Sequence, residues 1–196
     1  MDEFVSAGLG LVYIGGESGS GEIARQLNKG VTQRQLYLAL SLAQEARLDV
    51  SLSLMLGPGG VKYSEAHIEE TAQLLNQVFV RFISFRNVTA DEGSIYQRDM
   101  VRSLARKTNR PLTPVETVLQ LKTILQRLNP KGQRISMLGA GLDPIATNPM
   151  NLSVNFDKKG KAKALKLCDE CLLLVDTPKG ELSASKNSRF REVVLE

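Results

Sequence analysis

The sequence predicts an α/β fold in which three consecutive β-α units are followed by a mainly helical C-terminal segment. Three observations carry this. Apolar runs rich in branched and aromatic residues recur at residues 9–14, 49–56 and 79–87, and the first two close on glycines. Stretches with apolar residues at helical spacing separate them. Three such units in the first ~85 residues point to parallel strands joined by right-handed crossovers. Helices covering one side of a curled sheet would make a partial TIM-like barrel; a flat doubly wound sheet is the competing arrangement.

Leu9–Ile14 is apolar throughout and reads as a buried strand. Helical patterning follows from Glu22 to Asn28, Gly30 offers a stop, and Thr32 an N-cap for a longer helix, Gln33–Arg47. In DVSLSLMLGPGG, alternation puts Ser51, Ser53 and Met55 on one face and Val50, Leu52 and Leu54 on the other. A helix from Ser64 to about Gln77 and a third strand, Phe79–Asn87, complete the repeat. Beyond Val88 the rhythm changes. A polar stretch, Gly93–Thr108, reads as a loop and helix, and Thr113-Pro-Val-Glu116 is a capping box with proline at N1 that launches a helix to Leu128. Gln133–Gly139 reads as a fourth strand and Ala162–Asp176 as an apolar-striped helix. The expected division is residues 1–88 as barrel-type units, 89–176 as a helical extension packed on them, and 177–196 as a polar tail.

Composition narrows the function classes. Across 196 residues the chain is 42% hydrophobic and 23% charged, as an ordinary globular protein is. Its net charge of +4 permits a nucleic-acid partner without indicating one. The one dense basic run, Lys158–Lys163, reads as a solvated turn. No apolar stretch approaches the ~20 residues that span a bilayer, and the acidic N-terminus lacks signal-peptide anatomy, so a cytoplasmic location with no membrane partner is expected. Two cysteines are too few for a disulfide scaffold. Cys168 and Cys171 sit at i and i+3 of an amphipathic pattern and read as core thiols; no metal ligand is assigned.

The stretch GGESGSG, Gly15–Gly21, lies where a strand gives way to a helix and is the first place to look for chemistry. It is not a P-loop, because Glu22 and Ile23 stand where lysine and a hydroxyl belong, and a glutamate repels phosphate. The spacing Gly19, Gly21, Ala24 matches a dinucleotide fingerprint only loosely: it starts five residues beyond Ile14 and lacks the later acid. A nucleophile elbow begins at Gly16-Glu-Ser18, but Ser20 replaces its closing glycine. The only histidine, His67, reads as an exposed helical residue, which leaves serine chemistry without a base. What remains is a carboxylate at a strand end. Tyr13, Gly15 and Glu17 share a phase, and ligands of parallel α/β folds bind at the carboxyl ends of strands. Glu17 suits an ammonium group or ribose hydroxyls, and Gly15, Gly16 and Gly19 would admit a ligand close to the backbone. A plain glycine turn with Ser18 or Ser20 as N-cap is the structural alternative.

Three blocks carry a family resemblance. GLGLVYIGGESGSGEIARQLNKGVT resembles the fourth strand and helix of radical S-adenosylmethionine (radical SAM) enzymes; VSLSLMLGPGG is similar to their fifth strand, and SEAHIEETAQLLNQV to their fifth helix. Phe79–Thr89 with Gly93-Ser94 resembles the sixth strand and its continuation. The likeness spans Met1 to about Leu128. It looks nearest to the branch holding oxygen-independent coproporphyrinogen oxidase-like proteins, tRNA methylthiotransferases and elongator-type enzymes. It implies the C-terminal half of the superfamily's core barrel.

The resemblance further implies reductive cleavage of S-adenosylmethionine to a 5′-deoxyadenosyl radical that takes a substrate hydrogen, with a [4Fe–4S] cluster supplying the electron. Glu17 and Ser18 would contact the cofactor's amino-acid or ribose part, with Gly15 and Gly16 allowing close approach. Ser53, Met55 and Gly57 would line the pocket from the second strand and Arg86 or Asn87 from the third. No catalytic residue is assigned. The superfamily's C-x-x-x-C-x-x-C cluster motif does not occur in these residues, so the cluster has no ligands here. The expectation is therefore a fragment, inactive alone, whose partner is the missing N-terminal barrel half or a second copy. A small-molecule and a tRNA substrate both fit. A degenerate, non-catalytic module binding a nucleoside or a partner is the rival reading, and a TIM-like isomerase or lyase a further one.

Overall fold

A computed structural model describes residues 2–88, 93–138 and 152–175. The predicted tail, 177–196, and Gly139 at the end of the predicted fourth strand lie outside these residues. The elements run α1 (Asp2–Ser6), β1 (Leu11–Glu17), α2 (Gly21–Gln26), α3 (Gln33–Glu45), β2 (Asp49–Leu56) and α4 (Ser64–Gln77). They continue with β3 (Phe82–Asn87), α5 (Ile95–Ala105), α6 (Pro114–Arg127), β4 (Gln133–Leu138), β5 (Leu152–Phe156) and α7 (Lys158–Val175). The fold is α/β, with one five-stranded sheet in the order β1-β2-β3-β4-β5. The first four strands are parallel; β5 runs antiparallel to β4.

Alternation along the strands decides which face carries the core. Val50, Leu52, Leu54 and Leu56 of β2, Ile83 and Phe85 of β3, Ile135 and Met137 of β4, and Val154 and Phe156 of β5 are all buried. They meet Leu36, Leu40 and Ala43 of α3, Ile68 and Ala72 of α4, Leu121, Ile124 and Leu125 of α6, and Ala164 and Cys168 of α7. All these helices therefore cover one face; for α3, α4 and α6, which join neighbouring parallel strands, right-handed crossovers require it, and α7 packs beside α6 on the same side. The opposite face holds Tyr13, Ser51, Ser53, Met55, Phe82, Ser84, Arg86, Arg134, Ser136, Ser153 and Asn155, all half-buried or exposed. Register aligns Gly15, Ser53, Ser84, Ser136 and Ser153 as one polar row straight across the sheet.

Caps fix the helix starts where the sequence places them. Thr32 and Thr113 each accept from the N3 backbone in full capping boxes with Gln35 and Glu116. Beyond residue 88 the described residues are mostly helix, in α5, α6 and α7, with β4 where the fourth strand is predicted. Two features differ from expectation: a further strand, β5, whose LSVNF alternates but is only five residues long, and the basic run. Lys158–Lys163 is no solvated turn but the start of α7, where Lys161 Nζ donates to the Gln126 and Leu128 carbonyls at 2.7 Å and so satisfies the end of α6. Among the described residues no helix is long and apolar enough to cross a membrane.

Candidate functional site

The glycine loop after β1 is clamped by α4. Ser18 Oγ lies 2.8 Å from His67 Nδ1, Gly19 N donates to Thr71 Oγ1 at 3.0 Å, and Ser20 N donates to Ser18 Oγ at 2.9 Å. Glu70 takes Ser20 Oγ and Gly21 N, both at 3.2 Å. The backbone N–H groups that a phosphate would need are thus already bonded, and one partner is a carboxylate. This excludes a phosphate cradle on geometry as well as on motif.

His67 is not the exposed residue the sequence suggests. It is fully buried, because His67, Glu70, Thr71 and Leu74 form one face of α4 and that face packs on the loop. Burial lowers its pKa from 6.5 to about 4, against a weaker opposing pull from the Met55 backbone. The ring is therefore neutral near pH 7. Because Ser18 Oγ accepts from Ser20 N, its own proton is best placed on Nδ1, which assigns the Nε2–H tautomer; Nε2 makes no well-formed hydrogen bond among the described residues. A serine–histidine contact thus exists, but no carboxylate orients the ring among the described residues, and Ser18 is itself buried. The pair holds the loop and offers no accessible nucleophile.

The glycines divide by task. A Cβ on Gly19 would stand 2.5 Å from Thr71 Cα, and one on Gly16 2.9 Å from Leu52 Cδ1. These two permit packing against α4 and the core, not ligand approach. Only Gly15 faces the uncovered side, where a Cβ would stand 2.9 Å from Glu17 Oε1 and 3.3 Å from Lys29 Nζ. The Glu17 carboxylate folds back over that glycine and accepts from Lys29 Nζ at 2.7 Å. It gets there through a register shift between Gly15 and Glu17 and a left-handed backbone at Glu17, φ 60°. A glutamate in that conformation is uncommon and must be held by its surroundings.

The neighbouring strand ends bring the other candidates alongside. Met55 pairs with Arg86 and Leu56 with Asn87. Ser53, Met55 and Arg86 lie on the same uncovered face as Gly15, while Ser18 and Asn87 do not. Asn87 Oδ1 is buried without a partner among the described residues, beside a cavity of about 310 Å³ lined by Leu56, Gly57, Val88 and Leu112. Gly57, φ 75°, donates its N–H to Gln120 Oε1 at 2.8 Å and accepts from Tyr96 Oη at 3.4 Å, so both its backbone groups are engaged. Gln120, buried, also donates to Ser64 Oγ at 2.8 Å. Sequence reasoning missed Lys29, Gln120 and Tyr96, whose partners are 12, 63 and 39 residues away in the chain.

Cys168 and Cys171 lie buried on α7. Burial, before any neighbouring charge, pushes their thiols up to about 12 and about 11. They are protonated core residues and do not fit a cluster, which binds thiolates. No family model and no curated protein matches the chain.

Proposed function

We propose that this chain supplies part of the S-adenosylmethionine and substrate pocket of a radical SAM enzyme, as a segment of its barrel, and is inactive alone. The observation that supports the reading best is the Glu17 carboxylate, held over the Cβ-less Gly15 by Lys29 on the polar, uncovered face of a parallel sheet. It stands at the carboxyl ends of the strands, the usual ligand end of such sheets. Helices on one face of the four parallel strands and a half-polar opposite face support the barrel-segment reading. In this reading Glu17 accepts from ribose hydroxyls or the methionine ammonium, with Lys29 fixing its orientation. Gly15 leaves the space that the Glu17 carboxylate and Lys29 ammonium occupy, Ser53 and Met55 line the next strand, and Arg86 the third. When bound, S-adenosylmethionine supplies the radical chemistry; these residues bind it, orient it and exclude water. The cysteines present do not fit the cluster, whose ligands in this reading belong to the rest of the enzyme. The second reading is a degenerate, non-catalytic module that binds a nucleoside or a partner through the same strand ends.

Equilibrium dialysis with labelled S-adenosylmethionine tests the proposal. Saturable binding that weakens about tenfold, or ~1.4 kcal/mol, in Glu17→Gln is expected. Binding indifferent to Glu17 overturns it. Equal affinity for adenosine and S-adenosylmethionine selects the second reading.

A further inference from the structure

Helix α5 is unlike its neighbours, for it buries none of its residues. It follows β3 and is tied to the strand ends by the hydroxyl of Tyr96, which donates to the Gly57 carbonyl. Tyr96, Met100 and Ser103, at i, i+4 and i+7, turn toward the body and line a cavity of about 250 Å³ with Lys62, Tyr63 and Asn109. Arg98, Arg102 and Arg106 recur every fourth residue on the other side and are exposed, as are Lys107 and Arg110 next to them. At 1.5 Å rise per residue the three arginines stand ~6 Å apart along the helix axis. Asp99 pairs with Arg102 at 3.5 Å and Glu116 holds Arg110 at 2.7 Å, while Arg98, Arg106 and Lys107 have no carboxylate partner among the described residues.

We infer that α5 is a docking helix for a single-stranded polynucleotide, whose successive phosphates lie along Arg98, Arg102 and Arg106. Regular spacing of a charged stripe suits a polyanion with regularly spaced charges, and guanidinium groups grip phosphate in two-pronged fashion. A lipid surface fits less well. The exposed apolar residues of α5, Ile95, Val101 and Leu104 at 66%, 57% and 53%, are scattered, Ile95 among the arginines and the other two beside them, and make no continuous apolar face for insertion. The inference is independent of the cofactor reading.

The test is binding of a labelled 20-nucleotide poly-U RNA, at several salt concentrations, to the full chain and two variants. Arg98→Gln/Arg102→Gln/Arg106→Gln should bind at least ~10-fold more weakly, and the slope of log K against log salt should fall by about 2, near 0.7 per lost contact. Lys158→Gln/Lys159→Gln/Lys163→Gln, which removes the same charge from α7, should change the slope little. Since Arg98, Arg102 and Arg106 are exposed, the arginine variant should keep the parent's circular dichroism, and the matching triple Arg→Lys variant should restore most of the slope. Equal losses in both glutamine variants overturn the inference. So does absence of RNA binding at low salt, or binding to phosphatidylserine vesicles but not to RNA.

Discussion

Lowering the pH from 7 to 4.5 should strip stability from this protein through one residue, His67. Its folded pKa of about 4 lies below the ordinary 6.5. Between these values the unfolded chain binds a proton that the folded chain refuses, so stability rises with pH across the window. The full contribution is present above pH ~6.5 and is lost as pH falls toward 4, with a slope approaching 1.4 kcal/mol per pH unit and a total of ~3 kcal/mol. Among the described residues the other strongly depressed group is Glu116, brought down to about 2 chiefly by its Arg110 hydrogen bonds, and its effect falls below pH ~4.5. Urea denaturation of the wild type and of His67→Asn, whose amide oxygen can take the Ser18 proton, separates the two. The wild type should lose ~2–3 kcal/mol between pH 6.5 and 4.5 while the variant stays nearly flat. Parallel pH profiles for the two proteins would refute the buried, neutral imidazole.

Gly19→Ala should cost ~1–3 kcal/mol or more, because the new methyl meets the backbone of Thr71 and Glu70; Gly10→Ala, with nothing within 4 Å, should be neutral within ~0.5 kcal/mol by thermal melting. The thiols of Cys168 and Cys171 should resist Ellman's reagent at pH 8 in the folded protein and react at once in urea; fast labelling without denaturant would place them outside the core.

Much of the fold was legible because strong local signals agreed with packing. VSLSLML alternates with the pleat, and Thr32 and Thr113 announce their helices through capping chemistry that needs no tertiary partner. β5 was not legible: LSVNF alternates, but over five residues with no flanking signal, and its place is set by pairing to β4. His67 failed for another reason. Flanking glutamates suggest solvent, but a helix shows several faces, and the face with Glu70 and Thr71 is covered by a loop some 50 residues earlier in the chain. That an acid closes the first strand was legible, but the phase used to aim it breaks at the register shift between Gly15 and Glu17. Its lysine partner, the left-handed turn that seats it, and the use of Gly16 and Gly19 for packing were not, because each depends on which element comes to rest above the loop.

The proposed pocket is tested most directly by titrating S-adenosylmethionine into the ¹⁵N-labelled chain and mapping the amide shifts. The expected result is saturable perturbation at Gly15–Glu17, Ser53–Gly57 and Arg86–Asn87, greatly reduced in Glu17→Gln. No perturbation at millimolar ligand, or shifts confined to α5 and the outer faces of the helices, would contradict it.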